Sequence, residues 1–394
     1  MTLRHRKITV LGAGIGGLAA ACILARRGAN VTVLEQADAI REVGAGLQVS
    51  PNGAAVLRAL GLEEALAARS VRAEAVQLCD GYSGAAVLRL DLARLRPDQG
   101  YHFVHRADLI DLLLTAARDA GVELQLLQKI KSVDLSGPRP LLLTQQGASR
   151  EADLLIGADG LHSVLRQALN GTVAPFFTHQ VAWRALVPAS AEDPPVAEVH
   201  MGRGRHLVSY PLRGGQLRNI VAVEERRRWA EESWSLRDDP MELRLAFEGF
   251  GPRVQGWLDQ VQDVWLWGLF RHPVAKRWHG QGAAILGDAA HPTLPFLAQG
   301  ANMALEDAWV LGAELDRGVP DDQALAAYQA ARAGRCARIV AAANSNARAY
   351  HLNSPLRELA HLALRVGGKL APGLPLGRFD WLYGADVTEG QRLT

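Results

Sequence analysis

The chain begins with apolar and polar positions in the order expected for a strand, a glycine-rich turn, a helix and a second strand. The apolar run at 8–11 predicts a buried strand, and the sequence GAGIGG follows it at 12–17. Apolar residues then recur at helical spacing over about 18–27, and 31–34 predicts the second strand, closed by Glu35. This order of elements is that of a complete βαβ dinucleotide-binding unit.

The glycines of this unit stand where a dinucleotide needs them. Gly12 allows the tight turn, Gly14 lets the backbone approach a pyrophosphate, and Gly17 lets the helix and strand pack closely. The start of the helix adds a partial positive charge that favours phosphate. Glu35 is placed to accept hydrogen bonds from a ribose diol. The alternative is a glycine-rich turn without a ligand.

Three further segments suggest that the ligand is held by more than this unit. A second glycine-rich stretch at 43–53 precedes a predicted helix, and GADGLHS at 157–163 follows an apolar strand and opens another helix. GDAAHP at 287–292 also follows an apolar strand, and a long helix is predicted over about 301–315. Strands that alternate with helices in this way favour an α/β fold.

Length, charge and cysteine content narrow the class of protein. At 394 residues the chain exceeds one ordinary hydrophobic core, and a formal charge of +2 gives no reason to expect nucleic acid or an anionic membrane as partner. Cys22, Cys79 and Cys336 lie far apart, which argues against a disulfide scaffold, a metal site or a thiol nucleophile. No apolar stretch approaches the roughly 18 residues of a membrane span, so a cytoplasmic protein is expected.

Taken together, the dinucleotide-binding unit, the DG segment at 157–163 and the GD segment at 287–292 resemble those of the group A FAD-dependent aromatic hydroxylases. Within these flavoprotein monooxygenases, the sequence is most similar to the branch with salicylate hydroxylase, 3-hydroxybenzoate 6-hydroxylase and 6-hydroxynicotinate 3-monooxygenase. The stretch GDAAHPTLPFLAQGANMALEDA at 287–308 carries the most specific likeness. The resemblance is densest at 8–55, 102–167 and 282–311, and weakest at about 225–265, where no role can be assigned.

The resemblance implies a bound FAD whose contacts come from separated parts of the chain. Arg41 and Arg106 would meet the pyrophosphate or ribityl region, Asp288 a ribityl hydroxyl, and Asp159 would aid flavin and nicotinamide binding together. Without the family, Arg106 could be a surface arginine near a helix start, and Asp288 a turn or cap residue. The implied cofactor-binding residues are Gly12, Ala13, Gly14, Ile15, Gly16, Gly17, Glu35, Arg41, Gln48, Arg106, Asp159, Asp288, Gly300, Ala301 and Asn302.

The helix start at 299–302 has an electrostatic role in this scheme. Free N–H groups and the positive end of the helix dipole, aimed at the flavin pyrimidine, would favour the anionic reduced flavin. Gln299 and Pro295 are therefore placed in the catalytic set, Pro295 because it fixes the turn beside the oxygen-reactive flavin carbon. A proline-terminated loop that caps a helix is the plainer interpretation, and it does not exclude the first.

Two residues of the substrate half complete the catalytic set. In HLVSYP at 206–211, His206 and Tyr210 are four apart on a predicted strand and should share a face. Related phenol hydroxylases place a histidine and a tyrosine at this spacing in the pocket. A histidine has a suitable pKa to deprotonate a phenol and so activate its ring. The alternative is a strand histidine that faces solvent.

Three other histidines give weaker indications. His291 lies in the GD segment and is expected to order that loop. His162 could face the cofactor cleft or the surface. His272 stands where similar proteins carry acidic or arginine residues, which leaves the wall of the pocket, and hence the substrate, open.

The expected fold is α/β: a doubly wound, Rossmann-like FAD domain with an inserted, mostly antiparallel substrate sheet (an α+β second domain) and C-terminal helices. Helices from about 321 to 366 should pack against both units. The predicted divisions are an FAD-binding domain at 1–72, 102–171 and 278–340, a substrate domain at 73–101 and 172–277, and a C-terminal helical segment at 341–394.

The expected reaction hydroxylates a small phenolic acid or a hydroxylated N-heteroaromatic through a C4a-hydroperoxyflavin. NADH, mildly preferred, or NADPH would act as a transient co-substrate with O2. The alternatives are a flavoenzyme of the same fold that oxidises or epoxidises a larger isoprenoid or polyketide, a non-catalytic nucleotide-binding protein, and an NAD dehydrogenase. The last explains only the first βαβ unit. The exact substrate, any accompanying decarboxylation, and the choice between monomer and homodimer stay open.

Overall fold

The computed structural model describes residues 3–40, 45–190, 192–226 and 236–391. The strands are β1 Lys7–Leu11, β2 Asn30–Leu34, β3 Gly46–Val49, β4 Ser70–Arg72, β5 Ala75–Asp80, β6 Ala86–Asp91, β7 His102–His105, β8 Glu123–Gln125, β9 Ile130–Asp134, β10 Leu141–Thr144, β11 Ser149–Glu151, β12 Leu155–Gly157, β13 Phe176–Pro188, β14 Val196–Gly202, β15 Arg205–Leu212, β16 Leu217–Glu225, β17 Arg237–Asp238, β18 Val264–Arg271, β19 His279–Gly280 and β20 Ala283–Ile285.

The helices alternate with these strands in the first half and gather at the C-terminal end. They are α1 Ile15–Arg26, α2 Pro51–Ala59, α3 Glu63–Arg69, α4 Leu92–Leu95, α5 Arg106–Asp119, α6 Val164–Asn170, α7 Pro240–Ala246, α8 Pro252–Leu258, α9 Gly300–Leu315, α10 Asp321–Tyr350, α11 Leu356–Leu370, α12 Gly373–Gly377 and α13 Asp380–Tyr383. Short 3-10 turns lie at Arg213–Gly215, Gly287–Ala289 and Pro295–Leu297.

A six-stranded sheet in the order β19-β20-β12-β1-β2-β8 forms the nucleotide-binding half. The strands from β20 to β8 are parallel, and only the edge strand β19 runs against its neighbour. Strand β12 lies beside β1 and β20 lies beside β12, so the three segments that follow these parallel strands begin at one edge of the sheet. The α/β half of the predicted fold is therefore confirmed.

Helix α1 is the buried centre of this half. It packs against α5 and α9, and the side chains from Leu18 to Leu24 are at most 1% exposed. Cys22 is a free thiol within this stretch, as expected for a core cysteine. The helix ends at Arg26, and Gly28 follows with a φ of +95°, a backbone conformation that favours glycine after a helix.

Two helices start earlier than predicted, since the apolar pattern places one over 109–117 and the other at about 54–60. Helix α5 begins at Arg106 because the His105 side chain accepts a 3.3 Å hydrogen bond from the amide of Ala107 and so caps the first turn. Helix α2 begins at Pro51, a residue whose fixed φ suits the first helical position. Arg106 is therefore the first residue of its helix and does not precede it.

The second large sheet has eight strands in the order β17-β18-β13-β16-β15-β14-β5-β6. All neighbours are antiparallel except β14 and β5. Leu207 packs in one core cluster with Phe247 of the segment after α7 and Trp257 of α8, so these helices cover one face. The mostly antiparallel second sheet is as predicted.

The C-terminal helices join the two halves. Helix α10 packs against α9 and the turn Pro295–Leu297, whereas α11 packs against β6 of the eight-stranded sheet. Helix α10 continues through residue 340, so the predicted division there does not coincide with a helix end; the domain limits stay a prediction. Among the described residues, no helix combines the length and apolar character needed to cross a bilayer.

Candidate active site

The glycine loop after β1 is shaped by close backbone contacts. Gly12 has a φ of +93°, and a Cβ on it would lie 2.5 Å from the carbonyl oxygen of Ala158. A Cβ on Gly17 would lie 2.0 Å from the carbonyl oxygen of Gly12, whereas a Cβ on Gly14 would meet nothing within 4 Å in the part of the chain that the structure describes. The steric expectations for the turn and for helix–strand packing hold, and the open side of the loop lies at Gly14.

Glu35 at the end of β2 fastens this loop. Its Oε2 accepts a 2.8 Å hydrogen bond from the amide of Ala13, and its Oε1 accepts a 2.9 Å bond from the amide of Ala37. The side chain is half-buried. Each carboxylate oxygen keeps a further lone pair, so the group can still accept hydrogen bonds from a ligand.

The DG segment lies directly beside Gly12. The Cα of Asp159 would be 3.1 Å from a Cβ on Gly12, and Asp159 Oδ2 accepts a 2.9 Å bond from the amide of Val164. Its Oδ1 is buried and has no hydrogen-bond partner among the described residues, and burial raises the pKa of this carboxyl. An orphaned buried acceptor fits a ligand that brings a donor. His162 is exposed, as in the surface alternative.

The GD segment brings together charges from distant parts of the chain. Asp288 lies on the turn Gly287–Ala289. Its side chain is exposed to solvent, but many protein atoms surround the carboxyl group. This enclosure raises the pKa of Asp288, and the charges of His291, Arg106 and His272 act in the opposite direction. Arg106 and Asp288, 182 positions apart, therefore lie within electrostatic range at the same edge of the sheet.

The side chains at the start of α9 point into the protein. Gln299 donates from Nε2 to Ser50 Oγ at 2.9 Å and accepts from Asn52 Nδ2 at 3.1 Å. Asn302 accepts from the amide of Ser50 at 3.0 Å and donates to the carbonyl oxygen of Gln48 at 3.0 Å. What Gln299 and Asn302 can offer a ligand is thus their backbone, together with that of Gly300 and Ala301.

An ion network under α9 was not foreseen from the sequence. Glu306 pairs with Arg332 at 2.6 Å and with Arg335 at 2.8 Å, and Asp307 pairs with Arg332 at 2.7 Å and with His291. Although burial opposes it, His291 and Arg332 hold the pKa of Asp307 well below its usual range. The pairing orders the GD loop, as expected for His291. Two acids within an apolar helix are the only signal the sequence held.

Pro295 begins a short turn that faces the eight-stranded sheet. The turn ends at Ala298, whose φ of +53° lies in the left-handed region. Leu294 and Phe296 pack in one cluster with Val223 of β16. The loop after the GD segment is therefore where the two halves of the molecule meet.

His206 is buried at this junction. It is 1% exposed, its ring centroid lies 5.6 Å from that of Phe296, and its Nδ1 lies 2.7 Å from Nε2 of His351. Burial and the nearby His351 hold the pKa of His206 well below its usual range. The alternative of a solvent-facing histidine is wrong. His351, which follows α10, carries no motif that could have revealed it.

Tyr210 lies four residues along the same strand. It is 4% exposed, and its ring centroid lies 5.0 Å from that of Phe103. A Cβ on Gly46 would be 2.6 Å from its ring, so glycine is needed there. Burial raises the pKa of Tyr210, opposed by a hydrogen bond from Gln48. Arg41, also predicted for this region, lies outside the described residues.

Comparison with known proteins places this arrangement in one family. A family described as "FAD binding domain" matches residues 5–343. The chain is 37% identical to 3-amino-4-hydroxybenzoate 2-monooxygenase of Streptomyces cremeus over 89% of each chain. It is 34% identical to 3-hydroxybenzoate 6-hydroxylase of Klebsiella oxytoca, over 95% of this chain and 96% of the other. The crystal structure of Klebsiella pneumoniae HpxO with FAD and uric acid superposes with a TM-score of 0.83 at 27% identity, covering 94% of this chain and 95% of that one.

The chain belongs to the FAD-dependent aromatic hydroxylases.

As a member of this family, the hydroxylase binds FAD and uses NAD(P)H and dioxygen. The residues present fit the cofactor on two independent observations: the open side of the loop at Gly14, and the orphaned acceptor on Asp159. Membership removes the non-catalytic protein and the NAD dehydrogenase from consideration. It also disfavours the oxidation or epoxidation of a larger isoprenoid or polyketide.

Proposed function

We propose that this hydroxylase acts on a small phenolic acid, a monohydroxylated benzoate or nicotinate, with His206 as the base that deprotonates the phenol. One observation carries the proposal: His206 is buried beside Phe296 of the turn Pro295–Leu297, and its Nδ1 is hydrogen-bonded to His351. This engagement leaves Nε2 as the nitrogen available to a substrate.

The FAD contacts are part of the proposal. The backbone of the loop at 12–17 would hold the pyrophosphate, Glu35 the ribose diol and Asp288 a ribityl hydroxyl. The amides at the start of α9 would meet the flavin ring, and Asp159 the adjoining part of the cleft. The remaining proposed contacts are Arg41, Gln48 and Arg106. The domain division given above is proposed on the same grounds, with the FAD site in the first unit.

The chemistry assigned to His206 follows from its environment. When bound, FAD supplies, after reduction and reaction with dioxygen, an electrophilic oxygen to the substrate. A phenolate ring is far richer in electrons than a phenol ring, so removal of the phenolic proton by Nε2 favours the transfer. Because burial disfavours charged imidazole, His206 is neutral, and able to accept a proton, at neutral pH.

Tyr210 is proposed to orient the substrate. Its hydroxyl shares Gln48 with Tyr101, whose own hydroxyl donates a 2.7 Å hydrogen bond to Gln48 Oε1. Because burial raises the pKa of Tyr210, this phenol stays protonated and can donate to a substrate oxygen. It does not compete with His206 for the proton.

The substrate class is tested by screening monohydroxylated benzoates and nicotinates for stimulated NADH oxidation by the FAD-loaded enzyme. Product mass reports oxygen insertion and any loss of carboxylate. The matched control is the methyl ether of each active phenol, which has no phenolic proton for His206 to take. The expected result is a hydroxylated product from the phenol and peroxide alone from its ether. Equal hydroxylation of both would contradict the proposal.

Cellular setting and assembly complete the proposal. The three cysteines are free and buried, in keeping with a reducing compartment such as the cytoplasm. The assembly is proposed to be a monomer or a homodimer, and light scattering of the FAD-loaded enzyme distinguishes them.

A further inference from the structure

Three side chains lead in a line from the buried His206 to the surface. Its Nδ1 lies 2.7 Å from Nε2 of His351, and Nδ1 of His351 lies 2.8 Å from Oε1 of Glu225. The side chain of His351 is 2% exposed, whereas that of Glu225 is 53% exposed. Two hydrogen bonds therefore connect an enclosed imidazole with solvent.

The backbone holds this line in place from two sides. His351 directly follows α10, and its carbonyl oxygen accepts a 3.5 Å hydrogen bond from the amide of Gly204. The carbonyl oxygen of Gly204 in turn accepts a 2.8 Å bond from the amide of Glu225. The turn between β14 and β15 thus fixes both ends of the His351–Glu225 contact.

The order of donors and acceptors fixes both imidazole tautomers. A carboxylate only accepts, so Nδ1 of His351 must carry the proton that bonds Glu225, and Nε2 of neutral His351 is then an acceptor. Nδ1 of His206 must therefore be the donor to it, which leaves the lone pair of His206 on Nε2. The exposed carboxylate thus determines that the buried base is ready to accept a proton.

The groups around the line favour passage of a proton over its storage. On the sheet side, His351 faces Glu225 and Arg205, and Arg205 pairs with Glu224 at 3.3 Å. On the helix side, the ring centroid of Tyr350 lies 5.2 Å from that of His206. Burial lowers the pKa of both histidines, so both rings are neutral near neutral pH and neither holds a second proton.

We propose that His351 and Glu225 form a proton relay that connects the base His206 with solvent, an inference that rests on the proposed function. The O–H bond of the phenol breaks and a proton binds Nε2 of His206. The Nδ1 proton of His206 moves to Nε2 of His351, and the Nδ1 proton of His351 moves to Glu225 and on to water. Phenolate remains in the site, one proton has left, and no electrons are transferred.

Return of one proton along the same line completes the cycle. It reaches the oxyanion of the hydroxylated product and restores both tautomers. His351 and Glu225 do not touch the substrate in this scheme: they are positioning and proton-carrying residues, and they differ in this from His206.

The first test needs no substrate. In FAD-loaded enzyme labelled with 15N-histidine, long-range 1H–15N spectra report the tautomer of each ring, and His206→Gln and His351→Gln assign the signals. The relay predicts that both His206 and His351 carry the proton on Nδ1 at pH 7.5. An Nε2–H tautomer for either ring would overturn it.

The second test measures proton release directly. FAD-loaded enzyme without NADH is mixed with 3-hydroxybenzoate in weak buffer containing a pH indicator dye. Wild type is expected to release one proton per bound ligand rapidly. His351→Ala should slow the release by about 10²-fold, within the range for a lost acid–base group, and added imidazole should restore it. Glu225→Gln should slow it less, since water can still accept the proton.

A matched control separates relay from general charge effects. Glu358→Gln removes another exposed carboxylate, which lies on α11 and pairs with Arg357 at 2.7 Å, and it should leave the rate unchanged. Release at the wild-type rate in His351→Ala would overturn the relay and leave His206 as the base. Ligand binding without proton release in wild type would overturn both the relay and the base, whichever tautomers are found.

Discussion

The amide of Ala13 in the glycine loop donates a 2.8 Å hydrogen bond to Oε2 of Glu35 at the end of the neighbouring strand. The acid that closes the βαβ unit therefore also fastens the loop that is proposed to receive the pyrophosphate. Its other oxygen accepts from the amide of Ala37. One side chain thus shapes the loop and remains able to bind a ribose.

Replacement of Glu35 should weaken FAD binding in two steps. Glu35→Ala removes the ribose acceptor and both loop bonds, each contributing roughly 1–1.5 kcal/mol, so Kd for FAD should rise by tenfold or more. Glu35→Gln retains one acceptor oxygen, so its Kd for FAD should lie between those of wild type and Glu35→Ala. Equilibrium dialysis of FAD gives both values. Equal affinity in wild type and Glu35→Ala would show that the ribose is held elsewhere.

Alanine at two glycines of one loop should have different consequences. A Cβ at Gly14 would meet no atom of the described residues within 4 Å, so apo Gly14→Ala should keep its Tm and lose FAD affinity. A Cβ at Gly17 would lie 2.0 Å from the carbonyl oxygen of Gly12, so Gly17→Ala should lower the Tm of the apoprotein itself. Calorimetry and flavin absorbance separate the two. A destabilised Gly14→Ala apoprotein would contradict the open loop.

Asp288→Ala should reduce flavin occupancy because a ribityl hydroxyl loses its acceptor. Asp288→Asn is the matched variant, since its amide oxygen still accepts a hydrogen bond while the charge near Arg106 is lost. After gel filtration, FAD content is expected to be highest in wild type, intermediate in Asp288→Asn and lowest in Asp288→Ala. Full occupancy and unchanged turnover in Asp288→Ala would mean that the GD segment has another role.

Stability should fall in mild acid, in part because of His102. Burial and the charge of Arg72 lower the pKa of His102 from 6.5 to about 4, so the unfolded chain binds more protons between these values. The contribution of His102 to the free energy of unfolding is fully present above pH 6.5. It is lost as pH falls towards 4, by about 1.4 kcal/mol per pH unit. In urea unfolding, the free energy of unfolding of His102→Gln should fall by about 2 kcal/mol less than that of wild type between pH 7 and pH 5. Equal losses would contradict the depressed pKa.

The sequence predicted those parts of the fold that depend on local pattern. Strand and helix periodicity, together with glycines that only one backbone geometry accommodates, located the βαβ unit at 7–34 and the strands before the DG and GD segments. Helix starts were less accurate, because a cap such as His105 cannot be recognised from apolar spacing. The loop contacts of Gly12 and Gly17 were predicted correctly because their steric need is itself local.

Contacts between distant positions could not be predicted in this way. His206 and His351 are 145 positions apart, and Glu225 and His351 are 126 apart. Their meeting depends on how the end of α10 packs against the eight-stranded sheet, which no local pattern records. For the same reason the contacts of the Gln299 side chain with Ser50 and Asn52 were not predicted, since the sequence pointed only to the backbone at this helix start.

Tyr210→Phe should only moderately affect the coupling of NADH oxidation to substrate hydroxylation. The variant removes a hydroxyl that is proposed to orient the substrate, but it leaves His206 and its partner in place. A several-fold rise in peroxide released per NADH is expected, with product still formed. A loss of product as large as that caused by replacement of His206 would mean that the tyrosine takes the proton.

The central claim is that His206 removes the phenolic proton, and the most direct test is the yield of product and peroxide per NADH in His206→Ala. FAD content and NADH oxidation should persist, because His206 is not proposed to hold the cofactor. Hydroxylated product should fall by about 10²–10⁴-fold, the usual range for a lost general base, while peroxide per NADH rises. His206→Gln, which keeps polarity but accepts no proton, should behave alike. Tight coupling with near-normal product in either variant would contradict the account.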